Sequence, residues 1–228
     1  MKFKPLPAGF VIPTQPVKGS EPPSGADWVH EIKHDGYRII VRRDGPTVRL
    51  YSRNGNNWTM RLAAIAAAAD QIKAKSFSID GEAVVLGPDG LSRFEELSHR
   101  EGARAAILYA FDLIEHDGED MRNLPFLDRK AALAQLLRNT EAGFLFNEHI
   151  VEDGAVVFAH ACRLGAEGCA GGPRRRLRSR DHVLRSRLVQ QPGLRRITAG
   201  QLTAARIGEV RTGAALRDRL CRWPGTDS

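Results

Sequence analysis

The order of apolar and polar residues predicts a series of short strands interrupted by helices. Alternating or short apolar runs mark strands at 28–33, 37–42, 47–51, 77–86, 107–114 and 144–148. Helical spacing marks 61–73, 93–99, 125–138 and 153–164. Because two of the strands form a hairpin and the helices do not follow each strand in turn, the pattern predicts an α+β fold. We expect antiparallel sheets flanked by helices rather than a βαβ repeat.

Turn and capping signals mark several element ends. Asp44-Gly45-Pro46 separates two β-rich runs, as expected for a hairpin. Ser92 and Glu95 have the spacing of a capping box, which predicts the start of a short helix. Asp153 is a suitable N-cap for the last helix, and Gly165 is a suitable stop.

Residues 1–26 are rich in proline, which opposes helix and predicts an extended leader. The leader lacks the apolar segment of a signal peptide, and no run of about 18 apolar residues occurs elsewhere, so we expect no membrane span. The three cysteines are too few for a disulfide framework. They predict reduced thiols in a cytoplasmic protein.

The net charge of +7 is unevenly distributed. Residues 1–168 hold 20 Lys and Arg against 23 Asp and Glu, a net charge of −3. Residues 169–228 hold 14 Arg, no Lys and 4 acidic residues, a net charge of +10. Since the hydrophobic periodicity also ends near Gly168, we predict that 169–228 is a disordered basic tail. Such a tail is typical of segments that contact an anionic partner such as nucleic acid.

The polar break after the first strand contains the strongest candidate for covalent chemistry. It reads Glu31-Ile32-Lys33-His34-Asp35-Gly36-Tyr37-Arg38, so a lysine ends a strand beside an Asp-Gly turn. Burial and nearby cations lower the pKa of a lysine and free its amine as a nucleophile. The glycine would let the backbone turn sharply and leave room for a phosphate. Taken alone, Lys-x-Asp-Gly more often marks an exposed lysine beside an ordinary turn.

Four further segments add candidate ligands. Asp80 and Glu82 share one face of a strand, because strand side chains alternate, and two carboxylates there suit Mg²⁺ or ribose hydroxyls. Ser52-Arg53-Asn54-Gly55 supplies an arginine and a turn glycine. Tyr109-Ala110-Phe111-Asp112-Leu113 supplies a ring that would stack on a base, and Glu167-Gly168 supplies another carboxylate.

In order and spacing, these motifs resemble the adenylation domain of ATP-dependent DNA ligases, most nearly the bacterial repair ligases that accompany end-joining systems. The resemblance covers about residues 8–168, including Leu124-Pro125-Phe126-Leu127-Asp128-Arg129-Lys130. It implies a nucleotidyltransferase fold over 27–168. Four motifs in the correct order carry it, whereas each one alone is weak.

The resemblance also implies a mechanism and the residues that perform it. Lys33 would attack the α-phosphate of ATP, and Mg²⁺ or Mn²⁺ would neutralise the phosphate oxygens. AMP would pass to the 5′-phosphate of nicked double-stranded DNA, and a 3′-hydroxyl would then seal the strand. The protein would act as a monomer, with end-joining or repair proteins as partners. The implied nucleotide and phosphate ligands are Glu31, Ile32, Arg38, Arg53, Glu82 and Phe111, with Phe111 stacked on adenine, and the implied metal ligands are Glu82 and Glu167.

The sequence departs from the family after Glu167. The family pattern Glu-Gly-(Ile/Val)-Val-x-Lys here reads Glu-Gly-Cys-Ala-Gly-Gly, which leaves Gly172 where a lysine belongs. No lysine follows Lys130, so the later Lys-x-Lys motif is absent, and 169–228 shows no pattern of an oligonucleotide-binding barrel. We expect impaired adenylation, and we hypothesise that residues from about 169 are an out-of-frame reading of a ligase gene.

Two other functions fit part of the sequence. A non-catalytic nucleic-acid-binding protein would use the Arg-rich tail on phosphates without sequence preference. An RNA ligase or a capping-type guanylyltransferase would share the lysine motif, although the wording Ser-Arg-Asn-Gly and Tyr-Ala-Phe-Asp-Leu favours a DNA ligase. Competition between ATP and GTP would separate the nucleotidyltransferases.

Overall fold

The computed structural model describes residues 6–7, 9–140, 142–173 and 187–190. These residues form two sheets flanked by helices, which confirms the predicted α+β fold. The strands are β1 (Val17–Lys18), β2 (Trp28–Lys33), β3 (Tyr37–Asp44), β4 (Thr47–Ser52), β5 (Ser76–Val84), β6 (Ile107–His116), β7 (Glu119–Asp120), β8 (Phe144–Phe146), β9 (His149–Ile150), β10 (Gly168–Pro173) and β11 (Arg187–Gln190). The helices are α1 (Ala63–Asp70), α2 (Phe94–Ser98), α3 (Arg100–Arg104), α4 (Phe126–Leu137) and α5 (Gly154–Arg163).

The larger sheet has the strand order β4-β3-β5-β6-β7, and β8 pairs with β6 in parallel. The side chains of its strands point alternately to the two faces of the sheet, and one face is apolar and packs against α1 and α4 in the main core. Ile39, Ile79 and Leu108 belong to this face, and Leu133 of α4 packs against them in the same buried cluster. The opposite face carries polar residues near one end, where the candidate site lies.

The smaller sheet has the order β1-β11-β10-β2-β9. β10 lies between β11 and β2, antiparallel to both, with Gly168 opposite Lys33 and Gly172 opposite Val29. The predicted tail boundary at 169 therefore falls inside a strand. Residues 169–173 and 187–190 belong to the sheet, whereas the remainder of the predicted tail, 174–186 and 191–228, lies outside the described residues.

The described residues of the leader contact both sheets. Phe10 packs edge-on against Tyr51 with ring centroids 5.7 Å apart, over the apolar end of the polar face of the larger sheet. His30 Nε2 lies 2.9 Å from the Pro23 carbonyl oxygen on the smaller sheet. The leader therefore contributes packing on both sheets in addition to its extended backbone.

The local signals give mixed results. The hairpin at Gly45 is confirmed, and Asp153 caps α5 by accepting a hydrogen bond from the Ala155 backbone N–H at 2.9 Å. The capping box is wrong, because α2 starts after Arg93 without a side-chain cap and Ser92 instead forms a β-bridge with Leu86. In the described part of the chain, no helix has the length and apolar character needed to cross a membrane.

Candidate active site

Lys33 lies at the end of β2, where the strand leaves the sheet. Alternation along β2 places Glu31 and Lys33 on one face and Ile32 on the other. The Lys33 amine donates to Glu167 Oε2, and the exposed fractions of the two side chains are 23% and 19%. The predicted nucleophile is thus half-buried and paired with the predicted metal carboxylate.

Gln190 completes the surroundings of Glu167. Its side-chain amide donates to Glu167 Oε1 from the end of β11, so each carboxylate oxygen has a donor. No sequence pattern selects this residue, because it lies in the segment predicted to be a tail. Strand pairing with β10 brings Gln190 to the site by placing it opposite Gly168.

Glu82 lies on the polar face of β5, as predicted from its alternation with Asp80. Its pKa is raised from 4.5 to about 8, mainly by burial and in smaller part by the nearby charges of Asp80 and Glu167. Lys33 and Arg38 oppose this shift. Glu82 is therefore a mostly protonated acid at neutral pH, within electrostatic range of the Lys33–Glu167 pair.

Arg38 is held in place by the protein. Its guanidinium donates from Nε and Nη2 to both oxygens of Asp80, at 3.0 and 2.8 Å, and from Nη1 to the Thr14 carbonyl of the leader at 2.5 Å. The same group lies 5.4 Å from the centre of the Phe111 ring. The hydrogen bonds of Arg38 therefore hold its guanidinium over the Phe111 ring, which is the ring that we predicted to stack on adenine.

Glu31 has a partner that the sequence analysis missed. Lys130 of α4 has a 1% exposed side chain, and its amine donates to Glu31 Oε1 at 2.7 Å. Burial raises the pKa of Glu31, and the charge of Lys130 opposes the shift. The available signal was position, because Lys130 precedes Leu133 by three residues and Leu137 by seven, which places it on the buried face of the helix.

Asn147 and His34 extend the site on the other side of Lys33. Asn147 Nδ2 donates to the Ile32 carbonyl at 3.4 Å, and its Oδ1 lies 3.3 Å from His34 Nε2. The His34 ring stacks on Tyr109 at 3.6 Å and 6°. Burial lowers the pKa of His34 to about 4, so the ring is neutral at pH 7.

Two predicted residues stand apart from this group. Arg53 is exposed in the turn after β4 and makes no hydrogen bond or ion pair with the described residues. The Ile32 side chain is buried on the opposite face of β2 from Lys33, beside its strand partner Cys169, so only the Ile32 backbone faces the site. A nucleotide contact from either side chain stays a prediction.

Gly36 is needed for a reason other than the one we expected. Its backbone is not in the left-handed region, so the turn does not require glycine for its φ value. A Cβ at this position would lie 2.2 Å from the Ala83 carbonyl oxygen. The glycine instead allows the start of β3 to pack closely against β5.

Comparison with known proteins identifies the family. The sequence model of the family described as ATP dependent DNA ligase domain matches residues 17–169. The multifunctional non-homologous end joining protein LigD of Pseudomonas aeruginosa is 39% identical over 155 residues, covering 66% of this chain and 18% of that protein. The bifunctional LigD of Bacillus subtilis is 37% identical over 140 residues, covering 54% of this chain and 23% of that protein.

The solved structures agree. A mycobacterial DNA ligase D complexed with ATP and MES superposes with a TM-score of 0.65 at 29% identity, covering 77% of this chain and 58% of that one. The chain belongs to the ATP-dependent DNA ligase domain family, which confirms the predicted resemblance and the nucleotidyltransferase fold. It spans about a fifth of the length of the curated LigD relatives that it matches.

Proposed function

We propose that this chain binds ATP and transfers AMP to Lys33, as the first step of DNA nick sealing. The observation that carries the proposal is the half-buried Lys33 amine. It is hydrogen-bonded to Glu167, and Lys33 lies on the same face of β2 as Glu31. Sequence membership in the ligase domain family supports ATP as the nucleotide.

The chemistry of this first step balances within the site. Lys33 loses a proton through the Glu167 carboxylate to which it is hydrogen-bonded, and Glu167 passes that proton to solvent, so it is ionised when it ligates the cation. The free amine forms a nitrogen–phosphorus bond at the α-phosphate while the bond to the bridging oxygen breaks and pyrophosphate leaves with that bond's electron pair. The nitrogen then releases its second proton to solvent or to the departing pyrophosphate, which leaves a neutral phosphoramidate nitrogen. Asp80 holds the Arg38 guanidinium in one orientation, from which it would donate to the phosphate.

Glu82 and Glu167 would hold the divalent cation. Their oxygens are the ligands that Mg²⁺ or Mn²⁺ prefers, and both lie near the Lys33 amine. Among the described residues no group of three or more His, Cys, Asp or Glu side chains that could hold a metal ion is assembled. When bound, the ion neutralises charge on the phosphate oxygens.

The later steps and partners follow from the same proposal. AMP would pass to a 5′-phosphate of nicked double-stranded DNA, and a 3′-hydroxyl would displace it. Relatives named for non-homologous end joining support repair proteins as partners. The free thiols of Cys162 and Cys169 support a reducing, cytoplasmic location, and we propose a monomer.

We further propose that the adenylation step is slow in this chain. Gly172 shares its sheet face with Glu31 and Lys33, at the position where the family pattern has a lysine. Without that cation, one contact to the developing phosphate charge is lost, which costs about a hundredfold in rate. A Cβ at Gly172 would meet the Phe126 ring at 3.7 Å, an ordinary contact, so the position accepts a side chain at its Cβ.

Labelling with α-³²P ATP and Mg²⁺ tests the proposal. We expect weak label on the wild-type chain, stronger label on Gly172→Lys, and none on Lys33→Ala. Gly172→Ala is the matched control and should label like the wild type. Label that persists in Lys33→Ala would show that another residue is modified, and strong label on the wild type would refute the impairment.

A further inference from the structure

Lys130 is a charged residue at a core position. It lies on the buried face of α4 with Leu133 and Leu137, where helical spacing normally places an apolar side chain. A buried ion pair is often no more stabilising than apolar residues of similar size. Stability alone therefore does not account for a lysine here, and the groups that it holds are informative.

The Lys130 amine contacts three groups of the candidate site. It donates to Glu31 Oε1 at 2.7 Å and to the Asn147 carbonyl oxygen, and it lies 4.3 Å from the centre of the Phe146 ring. Asn147 in turn bonds the Ile32 carbonyl and His34 through its side chain. Lys130 and Asn147 together therefore fix three of the four residues from Glu31 to His34, and Glu167 holds the fourth, Lys33.

The arrangement leaves one Glu31 oxygen for a ligand. Oε1 is taken by Lys130, and the described residues offer no hydrogen-bond donor to Oε2. The charge of Lys130 favours the ionised form of Glu31, in which the carboxylate accepts hydrogen bonds and donates none. Such a group would bind the 6-amino group of adenine and repel the 6-carbonyl oxygen of guanine.

We propose that Lys130 is a positioning residue for nucleotide selection, which holds Glu31 as a fixed hydrogen-bond acceptor and, through Asn147, sets the backbone on both sides of Lys33. This inference rests on the proposed function, because it assumes that the site takes ATP. It assigns a role to a buried residue of α4 that packs against the β2 residues next to Lys33.

The test measures nucleotide preference in the full chain. ATP and GTP dissociation constants are compared by calorimetry for the wild type, Lys130→Met, the double variant Lys130→Met with Glu31→Gln, and the control Lys73→Met, which removes an exposed lysine. We expect Lys130→Met to reduce the preference for ATP over GTP about tenfold, the effect of losing one charge-assisted hydrogen bond. Lys73→Met should keep the wild-type preference.

The double variant separates positioning from stability. It buries no unpaired charge, so its resistance to urea should recover relative to Lys130→Met, whereas the preference for ATP should stay low because a Gln amide both donates and accepts. If Lys130→Met does not fold, the double variant is compared with the wild type directly.

The outcomes distinguish the two proposals. A wild-type preference for ATP that survives in Lys130→Met or in the double variant overturns the role of Lys130 and leaves the proposed function intact. Equal weakening of ATP and GTP also overturns it, because a structural role alone gives that result. A wild-type chain that binds neither nucleotide refutes the proposed function and the inference together.

Discussion

Glu82 is the residue whose ionisation most affects the candidate site. In the folded chain its pKa is about 8, compared with 4.5 for an ordinary glutamate, because it is buried near Asp80 and Glu167. Lys33 and Arg38 limit the shift but do not cancel it. A carboxyl that ligates a cation must be ionised, so cation binding at this site should strengthen as pH rises toward 8.

The same shift predicts how stability depends on pH. Between pH 4.5 and about 8, folded Glu82 keeps a proton that the unfolded chain releases, so the free energy of unfolding falls as pH rises through this window. The slope from one group is at most about 1.4 kcal/mol per pH unit. Glu82→Gln should remove this contribution in urea denaturation at a series of pH values.

Glu96→Gln is the matched control, because Glu96 is exposed on α2. Its pH profile should match that of the wild type. A Glu82→Gln profile parallel to the wild-type profile would mean that Glu82 titrates normally in the folded chain.

At the scale of elements, the site depends on close approach between strands. The turn from β2 to β3 follows Lys33 and packs Gly36 against the backbone of β5, the strand that carries Glu82. This contact sets the spacing between the nucleophile and the acidic pair, so the motif glycine acts through packing between strands.

Gly36→Ala should therefore destabilise the fold. The added Cβ would meet the Ala83 carbonyl oxygen at 2.2 Å and Val84 Cγ1 at 2.9 Å, and backbone atoms cannot rotate away. We expect a loss of about 1–3 kcal/mol in the free energy of unfolding, measured by guanidinium denaturation. Gly172→Ala, whose Cβ meets only ordinary contacts, should cost less, and equal costs for the two variants would contradict this explanation.

At the scale of the whole molecule, the smaller sheet depends on residues after Gly168. β10 is paired on both sides, and its composition of Gly, Cys, Ala and Pro has little strand propensity. Its neighbours β2 and β11 therefore hold it in the sheet. The hypothesis of an out-of-frame C-terminal segment stays a prediction, which sequencing of the locus in related strains would test.

Two truncations test this dependence. A chain ending at Gln190 keeps all the described strands, and we expect cooperative thermal unfolding and ATP binding similar to the full chain. A chain ending at Gly168 loses β10 and β11 and leaves the Lys33 strand at an edge, so we expect a lower melting temperature and aggregation. Equal melting temperatures for the two would contradict a structural role for β10.

The chain that ends at Gln190 also tests the alternative function, non-catalytic binding of nucleic acid. Ending the chain at Gln190 removes seven of the 14 arginines of 169–228, so if this segment binds nucleic acid, DNA binding should weaken and depend less on salt. The loss of ATP binding together with DNA binding would instead indicate that the removed residues support the nucleotide site.

The sequence alone determined the class of fold and the main candidates for chemistry. Local alternation and turn residues do not depend on distant contacts, so β2, the β3–β4 hairpin, α4 and the face shared by Asp80 and Glu82 were predictable. The order of short motifs was sufficient to indicate the ligase family.

Only the tertiary structure decided which residues meet. Lys130 and Glu31 are 99 residues apart in the chain, and Gln190 reaches Glu167 only because β10 and β11 pair. Hydrophobic periodicity reports which face an element buries, but it carries no information about which polar groups become neighbours across a sheet or beneath it. Burial and charge at those contacts then set the pKa values of Glu82 and His34, which no local pattern encodes.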